Sequence, residues 1–461
     1  MTRVRSLALG GVVVYVSILL VLHNFLRIQN PDVIFQTSPD HNHGNDTSMR
    51  KYFVPNVLTD PVTSATTTTE APVSIKPGTR IIRWSREQVL DEWYKMVNTI
   101  IPHNPRKYLN AVNASQLLLS RLQNETRHIR YPPFKFTIPN MASSDEIRLF
   151  LSNAENKNMA RLQNVTEQLT GKINILTNAK ALEVKDCGYK TVNGDFYFDG
   201  DADKSHEDSI VVPLLVPDSH AFQHFIDGLL PKLMQVLDVL LLTDAKLLMF
   251  NPRDGVIFEM LEEMHIPKEK IVLYSGKAMF FKKIINSCVT PPLHPILWNT
   301  ARKLLRAPDI LPPPNDTVVI LLTRAGSHNG QRNMNNFEEV KKMLSLRYGS
   351  RFVVFPAGLN LDQARHLFGR AAILIGVHGG ALYNLLYAPR TTHVIEIIPF
   401  TNEGLPLPGT AHQIFWFQGQ LIGQQYWRMQ LPPLNGNVEV PLPRLRTILD
   451  KVDMELKAKN S

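Results

Sequence analysis

The chain has 461 residues, 44% of them hydrophobic and 20% charged, so it can bury a large core and is longer than one ordinary domain. Its formal net charge is +9, but Lys and Arg are scattered, without the long basic runs and interleaved aromatic residues of nucleic-acid-binding proteins. The composition therefore argues against a nucleic-acid partner and favours anionic partners such as phosphate groups or acidic membrane surfaces.

The first predicted element is a membrane anchor. Residues 6–26 contain no Asp, Glu, Lys or Arg, and a helix of that length, at about 1.5 Å per residue, spans the roughly 30 Å of a hydrocarbon core. Arg3 and Arg5 precede the segment and only Arg27 follows closely, so the positive-inside rule leaves residues 1–5 in the cytoplasm and the rest in the lumen. A cleavable signal peptide is the alternative, but no small-x-small cleavage site follows. We expect a single-pass type II protein.

The next segment, residues 27–85, reads as a stem. Its prolines and the run TSATTTTEAPV make it too polar and too interrupted to pack, which is typical of a flexible stem with room for O-glycans. Asn-x-Ser/Thr sequons mark the side of the chain that is predicted to be lumenal, and chance would explain one or two of them. The predicted N-glycosylation sites are Asn45, Asn113, Asn124, Asn164 and Asn315.

The chain contains two cysteines, Cys187 and Cys288. In an oxidising lumen such a pair predicts one disulfide that closes a long loop. Two buried free thiols are the alternative.

Residues 86–300 are predicted to form the first of two domains. Helical periodicity begins at residue 85 and continues to about Gly171, with Ser144 as the N-cap of the sequence DEIRLFL. After Cys187 the pattern alternates between strand and helix. Strands are predicted over 209–216, 245–250 and 270–275, and helices over 221–242, with an interruption near Pro231, and 255–265.

Residues 301–461 are predicted to form the second domain, after a Pro-rich break. Strands that alternate with helices of this length predict a parallel sheet covered on both faces. The predicted fold class is therefore α/β, with two Rossmann-like domains that face a cleft. In this domain strands are predicted over 317–324, 351–355, 371–377 and 393–399, and helices over 336–349, 361–371 and from the sequence HGGA onward.

In the sequence GVHGGALYN, the residues between a predicted strand and the helix that follows it are His378, Gly379, Gly380 and Ala381. In open α/β sheets, ligands bind beyond the carboxyl ends of strands, where the N–H groups of the next helix point at an anion. Glycines at that point let a diphosphate approach the backbone. A tight structural turn is the alternative interpretation of His-Gly-Gly.

Three charged residues are predicted at the same edge of the sheet. Arg324 ends a strand and Arg332 follows shortly after, so either guanidinium can contact phosphate oxygens in bidentate fashion. Glu396, in the strand 393–399, is placed to accept hydrogen bonds from ribose hydroxyls. Each residue alone is equally consistent with an ordinary surface position, but together they predict a site for a nucleotide diphosphate.

The order of these C-terminal motifs resembles that of glycosyltransferase family 61, which includes plant-type β-1,2-xylosyltransferases and EGF-domain-specific O-GlcNAc transferases. The resemblance is carried by about residues 315–400. A weaker resemblance extends over residues 205–300, where QHFIDGLLPKL resembles the family's His-aromatic-x-x-acidic-x-x-Pro segment. The chain departs from the family pattern in three ways: Ala-Gly is inverted to Gly380-Ala381, Thr is replaced by Tyr383, and Asp227 falls one position early. The matching residues are Arg332, Asn335 and Glu338 in an Arg-x-x-Asn-x-x-Glu element, then His378, Gly379, Leu382, Asn384 and Glu396.

The resemblance implies a GT-B fold. Together with the predicted anchor, it places the protein in the Golgi or ER membrane with its catalytic domain in the lumen. It further implies that the C-terminal domain, residues 301–461, binds UDP-xylose or UDP-GlcNAc and that the N-terminal domain, residues 86–300, meets the acceptor. The sugar then passes, with inversion, to a glycan or glycoprotein. Inversion by a single displacement needs one general base. Asp227 and His224, three residues apart on a predicted helix, are the candidates. A packing histidine and a cap-like acid are the alternative interpretation of the pair.

No metal cofactor is predicted. The acidic sequence FDGDADKSHED is far from the candidate donor site, and its composition is typical of a solvated turn. A calcium loop is excluded because Lys204 and Ile210 stand where Gly and Glu are required. The aspartates concerned are Asp199, Asp201 and Asp203.

Two other functions are weighed. A hydrolase with a lipase-like oxyanion turn would need a Gly-x-Ser-x-Gly nucleophile elbow, and the chain contains none. A non-catalytic Golgi membrane protein that keeps a nucleotide-binding fold remains the alternative.

Overall fold

The computed structural model describes the chain over twelve ranges that belong to the compact unit Arg80–Ser461. The predicted anchor and residues 27–82 of the predicted stem lie outside them. No helix within these ranges has the length and hydropathy that a membrane span requires. The described residues are 83–97, 127–131, 134, 137–152, 169–179, 203–216, 218–276, 279–288, 294–324, 332–356, 358–400 and 413–460.

The first sheet is mixed. Its order is β1-β2-β6-β3-β4-β5, in which β1 pairs with β2 and β2 with β6 antiparallel, whereas all other pairs are parallel. We call this sheet and its helices the N-terminal half. The strands are β1 (Arg127–Tyr131), β2 (Leu169–Ala179), β3 (Ile210–Pro213), β4 (Lys246–Met249), β5 (Ile271–Leu273) and β6 (Phe281–Cys288).

The second sheet is parallel throughout and has the order β11-β10-β9-β7-β8. Every residue of β9 and β10 is buried, as expected of strands that are covered on both faces. We call this sheet and its helices the C-terminal half. The strands are β7 (Val318–Leu321), β8 (Phe352–Val354), β9 (Ala371–Val377), β10 (His393–Pro399) and β11 (Gln425–Leu431), and a hairpin follows, with β12 (Pro433–Leu434) and β13 (Asn437–Val438).

The helices connect and cover these strands. In α7 the start is fixed by a capping box, because the Asn360 side chain accepts from the Gln363 N–H and the Gln363 side chain accepts from the Asn360 N–H. The helices are α1 (Arg86–Val97), α2 (Ser144–Ser152), α3 (Leu230–Leu242), α4 (Gly255–Glu263), α5 (Pro295–Leu304), α6 (Phe337–Tyr348), α7 (Leu361–Phe368), α8 (Ile414–Ile422) and α9 (Leu442–Asn460).

The predicted α/β class is confirmed, and several local predictions need correction. The lead-in that was predicted to be helical up to Gly171 contains β1 and the start of β2. Ser144 is the first residue of α2 rather than its cap, and Ser143 accepts from the Glu146 N–H at 3.3 Å instead. The Pro-rich break contains α5, which starts with Pro295 because a first-turn proline lacks only an N–H that has no partner there.

The helix predicted over 221–242 is distorted ahead of Pro231. An α-helical turn, Phe222–His224, leads into a π-helical turn, Phe225–Leu229, and α3 follows without a break. The Leu230 N–H bonds to the Phe225 carbonyl, five residues back. Pro231 has no N–H to donate, so regular α-helical bonding cannot continue back through this turn. The π turn carries Asp227.

Candidate active site

A cleft of about 620 Å³ lies between the two halves. Its walls are formed by the segments that follow β3, β4, β8 and β9, so it lies beyond the carboxyl ends of strands from both sheets. This is the position at which open α/β sheets bind ligands. The N-terminal half contributes Gln223, Arg253 and Glu259 to the walls, and the C-terminal half contributes Phe355, Gly380 and Asn384.

Of the His-Gly-Gly turn, Gly380 lines the cleft, whereas His378 and Gly379 are buried behind it. The turn leads into a 3₁₀ helix, Gly380–Tyr387, where an α-helix had been predicted to start. Gly379 has φ 165°, an extended conformation open to any residue, so its backbone does not demand glycine. A Cβ on Gly379 would overlap Nη1 of Arg324, and a Cβ on Gly380 would lie 2.8 Å from Oε1 of Gln223 in the other half, so a larger residue at either position would displace the end of one of these side chains.

Two arginines bring positive charge to this turn. Nη1 of Arg324 donates to the His378 carbonyl at 3.1 Å. Burial and then the charge of Arg332 lower the pKa of Arg324 to about 10, which leaves it protonated at neutral pH. Burial also lowers the pKa of Arg332, and Glu396 opposes that shift. The two predicted phosphate contacts therefore lie close enough to repel each other, which favours binding of an anion.

His378 and Glu396 form a buried pair behind the turn. Their Nδ1 and Oε1 atoms are 2.5 Å apart, and the Tyr426 hydroxyl donates to the other carboxylate oxygen. Burial lowers the pKa of His378, more than the hydrogen bond and charge of Glu396 raise it, and Arg332 and Arg428 lower it further. A neutral imidazole that donates from Nδ1 to a carboxylate is held in one tautomer and one orientation.

The predicted ribose contact of Glu396 does not fit this burial. Glu396 is 0% exposed, and both of its oxygens have partners inside the protein. The carboxylate therefore orients His378 rather than facing the cleft. The sequence placed Glu396 at the right edge of the sheet but could not show that Tyr426 lies beside it in β11.

His224 and Asp227 lie close together in the N-terminal half. Nδ1 of His224 lies 3.6 Å from Oδ1 of Asp227. The His224 side chain is 36% exposed, whereas that of Asp227 is 9% exposed. Burial lowers the pKa of His224, but the hydrogen bonding and charge of Asp227, with help from Asp218, raise it by more, so the net shift is upward.

Asp227 also contacts the C-terminal half. The Tyr383 hydroxyl, in the 3₁₀ helix, donates to its Oδ2. Tyr383 was singled out from the sequence only as a departure from the family pattern. Its contact with Asp227 joins residues 156 positions apart, so no local signal could have revealed it.

Of the remaining predicted site residues, some line the cleft and others lie away from it. The Asn384 side chain donates to the Ala381 carbonyl at 2.9 Å, and both residues line the cleft. Asn335 is exposed and its backbone N–H bonds to the Val438 carbonyl at 2.8 Å, so it is tied to the β12–β13 hairpin. Asn335 is not among the described residues that line the cleft.

Of the predicted modification sites, Asn315 is described and is exposed in the 3₁₀ turn Pro314–Asp316. The disulfide prediction lies outside the described residues, because Cys187 is not described and Cys288 is described only by its backbone. The other sequons, Asn45, Asn113, Asn124 and Asn164, also lie outside them.

Among the described residues, no group of three His, Cys, Asp or Glu side chains is arranged to hold a metal ion. Asp203 accepts from the Ser205 N–H at 2.8 Å, as in a solvated turn. Asp199 and Asp201 lie outside the described residues, so metal independence stays a prediction.

Comparison with known proteins gives one finding about the family. Residues 222–395 match the family described as Glycosyltransferase 61. The match begins at the turn that carries His224 and Asp227 and ends in β10, and it confirms the resemblance identified from the sequence. The chain has no match among curated proteins.

Proposed function

Because residues 222–395 belong to glycosyltransferase family 61, we propose that this glycosyltransferase works in the secretory pathway and inverts the anomeric carbon of the sugar that it transfers. The donor is UDP-xylose or UDP-GlcNAc and the acceptor is a glycan or glycoprotein. The observation that carries the proposal is the cleft between the halves, with the glycine turn on one wall and the segment of His224 on the other. Two α/β sheets that place their strand ends at one cleft support a GT-B arrangement.

The donor diphosphate binds against the C-terminal half. Gly380 and Ala381 line the cleft at the start of the 3₁₀ helix, where the first N–H groups of a helix have no partner within it. The side chains of Arg324 and Arg332 supply positive charge to the leaving diphosphate. The proposed transfer uses these cations and requires no metal ion.

His224 is the proposed general base, and Asp227 orients it. His224 is the more exposed of the two, and Oδ1 of the buried Asp227 carboxylate faces its Nδ1 at 3.6 Å. Nε2 of His224 lies 2.9 Å from the side-chain amide of Gln223, and in the proposed reaction the acceptor hydroxyl replaces that contact and gives its proton to Nε2. The acceptor oxygen bonds to the anomeric carbon as the bond to the diphosphate breaks, and UDP leaves with the electron pair. Attack opposite the leaving group inverts the configuration.

The secretory assignment rests on the sequence. The apolar segment 6–26 and the sequons support a lumenal catalytic unit anchored in the Golgi or ER membrane. Asn315, the described sequon, is exposed and therefore accessible to a glycan.

The test is a donor panel with matched variants. We expect the full-length protein to release UDP from UDP-xylose or UDP-GlcNAc in the presence of an acceptor. The variants His224→Ala and Asp227→Asn should lower kcat about 100-fold or more, a typical contribution of general-base catalysis, while UDP affinity stays within about twofold. His220→Ala, one turn earlier, is the matched control and should keep most activity.

Two results would contradict the proposal. Unchanged transfer by His224→Ala and Asp227→Asn would refute the assignment of the base. A wild-type protein that binds UDP but transfers neither sugar to any acceptor would favour the non-catalytic, nucleotide-binding alternative.

A further inference from the structure

We propose that Tyr383 is a positioning residue of the C-terminal half that holds Asp227, and through Asp227 His224, in working geometry. The inference rests on the proposed function, because it assigns a role within the same site. It adds that the base is completed across the interface: the group that takes the proton belongs to one half and the hydroxyl that fixes its partner belongs to the other.

The first argument is the chain of contacts. The Tyr383 hydroxyl donates to Oδ2 of Asp227, and Oδ1 of the same carboxylate faces Nδ1 of His224 at 3.6 Å. Burial, and then the charge of Asp227, raise the pKa of Tyr383 well above its ordinary value, so the phenol keeps its proton and acts as the donor. With Oδ2 occupied in this way, Oδ1 is the oxygen turned toward His224.

The second argument is the rigidity of Tyr383 itself. Its ring packs edge-on against Phe415 at 4.8 Å between centroids, and Phe415 packs against the ring of His378 at 5.2 Å. His378 is in turn held by Glu396. The hydroxyl is therefore presented from a packed cluster of the C-terminal half.

The third argument is the irregular helical backbone that carries Asp227. The π turn Phe225–Leu229 precedes Pro231, which cannot donate a backbone hydrogen bond. Gly228, next to Asp227, packs closely on the segment that follows β3, where a Cβ would be 2.6 Å from Cγ1 of Val216. Such π turns are frequent at functional sites. Here a side-chain bond from outside the helix fixes the carboxylate that the distorted helix presents.

The charges around His224 determine the expected effect on pH dependence. Asp227 and Asp218 raise its pKa, and His220 is the other titratable group close enough to interact with it. From the C-terminal half, Tyr383 reaches it through Asp227, and Gly380 approaches its neighbour Gln223. Removal of the tyrosine hydroxyl leaves more of the carboxylate charge to act on the imidazole, which favours its protonated form.

The test compares Tyr383→Phe with Tyr387→Phe. Both tyrosines are buried in the same 3₁₀ helix and both hydroxyls reach the N-terminal half, but that of Tyr387 contacts Sδ of Met260 at 3.3 Å. We expect Tyr383→Phe to lower kcat about tenfold, since it removes one hydrogen bond to a charged group, with a donor KM within about twofold of wild type. The acid limb of its kcat–pH profile should move to higher pH by about half a unit. Tyr387→Phe should change neither.

A double-mutant cycle separates positioning from mere structural support. In an Asp227→Asn background, Tyr383→Phe should have little further effect on kcat, because the residues act as one unit. A full tenfold additional loss in that background would overturn the inference, as would a Tyr383→Phe enzyme with wild-type kcat and an unmoved acid limb. The cycle is informative even if Tyr383→Phe lowers the melting temperature, because kcat per UDP-binding site is compared.

Failure of the inference and failure of the proposed function give different results. If His224→Ala and Asp227→Asn abolish transfer while Tyr383→Phe behaves as Tyr387→Phe, only the role of Tyr383 is refuted. If His224→Ala and Asp227→Asn transfer sugar normally, the general base is elsewhere. The assignment of His224 as the base and the role of Tyr383 are then both refuted.

Discussion

The two halves of the molecule hold their site residues in different ways. In the C-terminal half the sheet is parallel, β9 and β10 are buried throughout, and His378 and Glu396 find their partners within that half. In the N-terminal half the sheet is mixed, and the candidate base lies on a helix that is distorted into a π turn. Its carboxylate, Asp227, takes its hydrogen bond from the other half.

Because of this difference, we expect the two sets of residues to affect different quantities, the free energy of unfolding and kcat. A buried network that is satisfied within one half contributes to folding whether or not a ligand is present. A half-exposed histidine whose partner is held across an interface contributes little to folding and depends on how the halves meet. Substitutions in the first set should therefore change the free energy of unfolding, and those in the second set should mainly change kcat.

The largest effect on stability is expected for Glu396→Ala. The substitution removes a fully buried carboxylate and leaves the Nδ1–H of His378 and the hydroxyl of Tyr426 without their acceptor. We expect the free energy of unfolding, measured by urea denaturation, to fall by about 3–5 kcal/mol. UDP affinity should fall as well, because His378 loses its fixed orientation.

A matched substitution tests whether burial is the cause. Glu338, on α6, is 78% exposed and pairs with Lys341 at 3.5 Å. Glu338→Ala should change the free energy of unfolding by less than about 0.5 kcal/mol. If Glu396→Ala were as mild as this control, the buried network of the C-terminal half would not be a source of stability, and the contrast between the halves would fail.

A smaller effect, on both stability and donor binding, is expected for Gly379→Ala. The new methyl group would displace the Arg324 guanidinium from the His378 carbonyl, while the extended backbone at Gly379 accepts alanine without strain. We expect a loss of about 0.5–1.5 kcal/mol in the free energy of unfolding from the lost hydrogen bond between Arg324 and the His378 carbonyl, because the displaced atoms are the end of a flexible side chain. The donor KM should rise about tenfold through the displaced cation.

Gly255→Ala is the control for that substitution. Gly255 opens α4 and lines the same cleft, but a Cβ there has nothing within 4 Å. Its donor KM should stay within about twofold of wild type. An equal rise in KM for both variants would show that any added methyl group in the cleft obstructs the donor, and that the displaced arginine is not the cause.

The same contrast explains what could be predicted from the sequence. The strands β9 and β10 occur at the residues that were predicted for them, because short runs rich in Ile and Val between turn signals favour buried strands over helices. Their order along the chain was enough to bring Arg324, His378 and Glu396 to one edge of the sheet.

The rest depends on contacts between distant parts of the chain. The antiparallel strands β1 and β2 were included in a helical lead-in, since β2 gains its strand pairing from β6, where Ile175 stands opposite Ile285. The hydrogen bond from Tyr383 to Asp227 exists only through the packing of one half on the other. No periodicity in either segment encodes that packing.

The smallest effect is expected at a direct link between the halves. Oε2 of Glu259, in α4, accepts from the Leu361 N–H at 2.7 Å, so a carboxylate of one half lies at the N-terminus of α7 in the other. Glu259→Gln keeps an acceptor but removes the charge that favours the helix dipole, and should lower the free energy of unfolding by about 0.3–1 kcal/mol at low salt. That loss should shrink in about 1 M salt, where charges are screened. Glu269→Gln, on an exposed turn, should change nothing at either salt concentration. If the loss in the free energy of unfolding caused by Glu259→Gln did not depend on salt, the contribution of Glu259 would come from hydrogen-bond geometry and not from its charge on the helix dipole.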